Sequence, residues 1–199
     1  MKMNSTRKLL LSLLVLGAAG AIAGAATFSA FSSTTTNSSG TGNKFAAGTV
    51  SLSDNDTGTH MYSVTNQKPG VDTVKCIQVT YGGSLDADVK LYTTTTTIPA
   101  AAANITLTIK KGTSTGGSGF PDCGTFTSQA TIYTGSLYDF QQTKGSYANG
   151  VAAYPGASAT KWTGGGDESL VYQFTLAVND NGAGVDSGLH QFTWEARNQ

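Results

Sequence analysis

Apolar and polar positions alternate with a period of two along most of this chain. In Val71–Tyr81, Ile77, Val79 and Tyr81 share one face, while Val74, Cys76 and Gln78 share the other. Ile105–Lys111 sets Ile105, Leu107 and Ile109 against Thr106, Thr108 and Lys110. Leu170–Val178 aligns Leu170, Tyr172, Phe174, Leu176 and Val178, and Leu189–Arg197 sets Phe192, Trp194 and Ala196 opposite Gln191, Thr193 and Glu195. Successive side chains of a strand point to opposite faces, so this pattern predicts sheets with one face in a core and the other toward water. Weaker alternation predicts strands over Phe45–Leu52, His60–Thr65, Asp86–Thr97 (Val89 and Leu91 inward) and Gln129–Gly135. Turn clusters fall at Ser53–Thr59, Asn66–Gly70 and Gly82–Gly83. Ser136–Thr143 reads as a helical turn and Tyr147–Gly166 as an irregular Gly- and Ala-rich excursion. About nine short strands without helical partners predict an all-β fold, a β-sandwich or jelly roll. Cys76 lies on the less apolar face of its strand and is expected to meet the sheet's second face or a covering loop.

The N-terminal part breaks the alternation. Lys2, Arg7 and Lys8 precede the apolar run Leu9–Leu16, and a Gly/Ala tract follows. That layout predicts a signal peptide, with cleavage after Ala25 or Ala26 by the small-residue rule. The uncharged stretch Leu9–Phe31 could instead span a bilayer as a retained anchor. Its strongly apolar part is short, and no basic stop-transfer cluster follows it. Beyond the leader, Phe28 and Phe31 stand at the head of a Ser/Thr/Asn/Gly run that leads into Phe45–Leu52. A plain linker has no use for such aromatics. A β-prone arm on a tether does, because it can pair with a sheet edge of its own domain or of a neighbour.

Composition narrows the class. The 199 residues suit one domain. Charged residues make up 12% of the chain, about half the usual share, with Thr, Ser and Gly in their place. With three of the 12 basic residues in the leader, the exported part carries 9 − 12 = −3 formal charges and no basic stripe, so no nucleic-acid partner is expected. Cys76 and Cys123 are the only cysteines; in an exported chain they predict one intramolecular disulfide, the alternative being two buried free thiols.

No catalytic constellation emerges. His60 and His190 lack an HExxH, HxH or paired acidic setting, so zinc has no ligand set and no cofactor is expected. Asp54-Asn55-Asp56-Thr57-Gly58 resembles the start of a calcium loop, but position 64, where the bidentate Glu belongs, is Val. Trp162, Tyr147 and Tyr154 could form an aromatic platform for sugars, or could plug the end of a sandwich.

Several short motifs, in order, resemble the TasA/camelysin family. They are Thr27-Phe28-Ser29-Ala30-Phe31-Ser32, the strand Phe45-Ala46-Ala47-Gly48-Thr49-Val50-Ser51-Leu52, the turns Lys68-Pro69-Gly70 and Gly83-Ser84-Leu85, and the closing Gln191-Phe192-Thr193-Trp194-Glu195-Ala196. Gln67 and Val71 depart from the family's Leu and Asp beside the first turn. The resemblance implies a jelly-roll-like β-sandwich preceded by a signal peptide (1–29) and an extended arm (30–44), with the domain at 45–199. It implies cleavage by a dedicated signal peptidase between Ser29 and Ala30. It further implies a secreted fibre subunit of an extracellular matrix or cell surface, membrane-associated only before cleavage. That subunit polymerises head-to-tail with itself by donating a strand within Ala30–Gly40, the core of which is Ala30, Phe31, Ser32, Ser33, Thr34, Thr35 and Thr36. On this reading the chain is not an enzyme. The alternatives are a camelysin-like cell-surface metalloprotease, which the family also includes, and a secreted carbohydrate-binding sandwich.

Overall fold

A computed structural model describes residues 46–95, 97–114, 119–155, 159–182, 184 and 186–198. The leader, the cleavage positions and the arm Ala30–Gly40 lie outside the described residues. All the elements below belong to one unit, Ala47–Gln199.

Strands β1 (Leu52–Asp54), β2 (Thr73–Tyr81), β3 (Ala87–Tyr92), β4 (Ile105–Ser114), β5 (Phe126–Ser136), β6 (Val151–Ala152), β7 (Glu168–Val178) and β8 (Thr193–Asn198) form two antiparallel sheets. One has the order β1-β2-β7-β4-β5 and the other β6-β3-β8. The predicted all-β sandwich is therefore what the chain forms. The inward faces are those the alternation assigns: Ile77, Val79, Tyr81, Leu107, Ile109, Tyr172 and Phe174 from the larger sheet meet Val89 and Leu91 from the smaller. Trp194 of β8 stacks over Tyr172, with ring centroids 5.2 Å apart. The predicted helical turn is α1 (Leu137–Thr143), capped by Ser136, whose side chain accepts from the Asp139 amide at 3.0 Å. α1 buries Leu137 and Phe140 against the core.

Three expectations need correction. His60–Thr65 forms no strand, because it finds no ladder partner; Tyr62 instead docks by its side chain. In Phe45–Leu52 only Leu52 enters a strand; the described part, Ala46–Ser51, is held by isolated bonds, such as the one from the Ser84 amide to the Thr49 carbonyl at 2.9 Å. β8 starts at Thr193 rather than Leu189, since Gly188 (φ 65°) turns the chain ahead of it and leaves Leu189 95% exposed. The Tyr147–Gly166 excursion is irregular as expected, yet it lends β6 and a Trp162–Ala87 bridge to the outer flank of β3.

The cysteines are joined. Cys76 is fully buried, and its disulfide to Cys123 holds the β4–β5 connection against β2. The Cys76 amide donates to the Pro121 carbonyl at 3.0 Å, so this loop occupies the rim of β2 where the short β1 has ended. The covering loop foreseen for Cys76 is this one.

Candidate assembly edge

A strand at the end of a sheet presents a row of unpaired amides and carbonyls, and the sandwich has four such ends. Two are trivial, because β1 has three residues and β6 two. β5 is long but irregular: its register against β4 breaks between Ile109 and Lys110 and again between Lys111 and Gly112. Such breaks twist an edge away from flat pairing. β8 is six residues of regular strand, and among the described residues it pairs only with β3. Three strands roof five, and β8 stands at the flank where β1 approaches it from the opposite sheet.

The side chains of β8 are braced on both faces. On the inner face Phe192, just before the strand, lies 4.5 Å from Phe174 and 5.7 Å from Phe140 between ring centroids. Trp194 follows over Tyr172 and Phe174. On the outer face the Tyr92 hydroxyl donates to Glu195 at 2.6 Å, and Arg197 Nε donates to the same carboxylate at 2.7 Å. Both hold the Glu195 carboxyl below its usual range, the Tyr92 hydrogen bond most. Arg197 also covers the Tyr147 ring at 3.9 Å. Burial, with Asp88 adding to it, pushes the Tyr147 phenol up to about 12. Asp88 further accepts from the Tyr154 hydroxyl, and Lys90 lies over the Tyr154 ring. These contacts fix the strand's orientation through its side chains, and among the described residues no second strand pairs with it, as an acceptor of a further strand requires.

At the start of the strand the Gln191 amide donates to Thr95 Oγ1 at 3.1 Å. One residue earlier, His190 Nδ1 lies 3.1 Å from the Gly188 carbonyl, and its Nε2 meets the Tyr62 hydroxyl. Neither the Tyr62–His190 pair nor the outer-face tyrosine network was foreseen.

The other candidate residues are placed as follows. Cys76 and Cys123 come together. Ser29, Ala30 and the arm residues through Thr36 lie outside the described residues. Trp162 is fully buried and donates from Nε1 to the Ala153 carbonyl at 2.6 Å, so it plugs the sandwich. With Trp162 inside and the Tyr147 and Tyr154 faces covered by Arg197 and Lys90, the three rings form no open platform. Asp56 ties up its own turn, accepting from the Gly58 amide at 2.6 Å, and Thr57 there has φ 51°. The Asp54 carboxyl is pushed up, chiefly by burial. His60 is exposed and His190 is engaged at both nitrogens. Among the described residues no three His, Cys, Asp or Glu side chains converge as a metal would require. Those residues do not fit a zinc centre.

Among the described residues, fold and edge define an all-β sandwich in which β8 has a strand neighbour on one side. Residues 6–109, just over half of the chain, match the family of camelysin metallo-endopeptidases. The chain belongs to that family, which takes in TasA-like proteins. No curated protein matches it.

Proposed function

We propose that this protein is an exported structural subunit that polymerises head-to-tail, each copy laying its N-terminal arm along the free edge of β8 in the next. The observation that carries this reading is the six-residue β8, which among the described residues has one strand neighbour, in a three-stranded sheet opposite five strands. The arm Ala30–Gly40 is strand-prone and uncharged, and Phe31 gives it one apolar knob for a core position. Ten arm residues reach about 33 Å when extended, enough to cross the sheet. Ladder bonds at about 0.5–1.5 kcal/mol net each, with about 2 kcal/mol from burying Phe31, offset the cost of ordering the arm. A head-to-tail contact between unlike surfaces propagates as a filament rather than closing a dimer. Removal of the leader by a signal peptidase sets the timing, since a tethered arm is not free to be donated.

The test is electron microscopy of the secreted product with and without residues 30–40. The expected result is filaments from the intact protein and soluble monomers from the truncated one. Filaments from the truncated protein at equal concentration refute the arm's role. Phe31→Asp should weaken assembly more than Thr35→Asp, and equal effects would make the arm a passive linker. The family's name supports a second reading, a metal-dependent peptidase. The described residues offer it no ligand set, and proteolysis abolished by a chelator is the result that would favour it.

A further inference from the structure

The β1–β2 connection leaves the five-stranded sheet at Asp54 and, at Tyr62, reaches the residue that leads into β8 of the other sheet. It therefore reaches from one sheet to the lead-in of the other sheet's edge strand, where Met61 and Tyr62 pack against the core and the Tyr62 hydroxyl meets His190. Ring centroids of that pair lie 5.5 Å apart, and Phe192 stands edge-on to the imidazole at 5.8 Å.

The chemistry of the pair is determined by its neighbours. The Gly188 carbonyl can only accept, so His190 Nδ1 carries the proton and Nε2 offers a lone pair. Tyr62 donates its hydroxyl proton to that lone pair. A second proton on the ring would occupy Nε2, turn the hydroxyl round and leave its hydrogen without an acceptor. The groups facing the ring are the Tyr62 hydroxyl from the connection, the Phe192 ring from the lead-in to β8, and the Gly188 carbonyl from its own loop. Asp186 on that loop is engaged with the Gly188 amide at 2.8 Å, and among the described residues no carboxylate forms an ion pair with His190. His60, two residues from Tyr62, is exposed.

We propose that the Tyr62–His190 bond is an acid-released latch that straps the β1–β2 connection across the open flank, so that mild acid frees the β8 edge for an incoming strand. The regulatory half of this proposal rests on the donor-strand reading; the latch itself does not. Burial lowers the basicity of the latched imidazole, chiefly by desolvation, whereas the opened ring has the ordinary value of about 6.5. The sign follows. The opened form takes up a proton that the latched form refuses, so opening is favoured as pH falls below about 6.5, by up to tenfold per unit, and is insensitive to pH well above it. Burial pushes the Tyr62 phenol up, so it stays protonated throughout and the imidazole is the titrating partner.

The experiment follows the mature full-length chain at about pH 5.5 and 7.5. The first readout is hydrogen exchange of the amides at 60–63 and 190–193 in the unassembled protein, corrected for intrinsic rates. The second is the rate of filament growth. The wild type should lose protection at those amides in acid by about tenfold and elongate faster by a similar factor. His190→Gln, which can accept from Tyr62 and donate to Gly188 without titrating, should show neither change. Tyr62→Phe should be open and fast at both pH values. Protection that responds to pH equally in wild type and His190→Gln overturns the latch. A latch that opens while growth stays constant overturns its control of β8. Opening without filaments under any condition leaves the latch standing and refutes the donor-strand reading instead.

Discussion

Reducing or deleting the Cys76–Cys123 bridge should cost a large share of the domain's stability. The two cysteines are 47 residues apart, so the loop-closure relation −2.1 − 1.5R ln 47 gives about −14 cal/mol/K, or about 4 kcal/mol at 25 °C. The native side adds about 1 kcal/mol if the loop lifts and the Cys76 amide loses the Pro121 carbonyl. The Lys75–Asp122 pair beside it, at 3.5 Å with Asp122 mostly exposed, adds little. Native-state relaxation works the other way, so the expected loss for the double variant Cys76→Ala/Cys123→Ala is about 2–4 kcal/mol. Urea unfolding followed by far-ultraviolet circular dichroism reads this as a midpoint lower by about 1–2 M. The slope should rise as well, because an unbridged unfolded chain exposes more surface. Wild-type protein in reductant should reproduce both changes. A loss below about 0.5 kcal/mol with an unchanged slope would refute the argument that the bridge acts by constraining the unfolded chain.

Two further substitutions probe side chains whose surroundings are fully specified. Trp162→Phe should lower stability by about 2 kcal/mol through lost volume and the lost bond to Ala153, without altering retention on polysaccharide gels; a selective loss of retention would restore a sugar-binding role. Gln141 on α1 is 5% exposed, and among the described residues neither its Nε2 nor its Oε1 has a hydrogen-bond partner. Gln141→Met should therefore raise stability by about 1 kcal/mol in thermal unfolding, and a loss of that size would show that the amide is satisfied by water.

Where large apolar residues recur at every second position and the strand lies between two neighbours, as in β2, β4 and β7, the strands occupy the predicted stretches with the predicted faces inward. Short alternation failed where no neighbouring strand was on offer, and His60–Thr65 is the clear case. Val64 on that stretch is 46% exposed, and the stretch is tied down instead by Met61 and Tyr62 packing on the core and by the Tyr62 hydroxyl reaching His190, 128 residues away. Periodicity encodes which face a residue takes and says nothing of which distant residue it meets. The same limit explains why Trp162 could be read as platform or plug: its placement depends on pairing with Ala87 and on the Ala153 carbonyl. The cysteine pairing was legible because only one pairing exists.

The candidate site lies between these cases. An open strand edge leaves no local mark, since Thr193–Asn198 would read alike with one neighbour or two. It becomes visible only when strands are counted sheet by sheet, three against five. The proposed arm, by contrast, rests on sequence alone, on Phe31 at the head of a polar run that otherwise asks for no partner. Neither feature is sufficient alone: an edge can be blunted by charge, and an apolar knob can fold back on its own domain. β8 does carry Glu195 and Arg197, but each is neutralised on the outer face, by Tyr92 and by one another, so no bare charge guards the rim. An edge guarded in this weak way invites pairing unless something else covers it. On the two proposals above, the connection anchored at His190 guards that flank within the molecule, and a donated strand fills it between molecules. The two covers compete for one flank, so strengthening the first must slow the second.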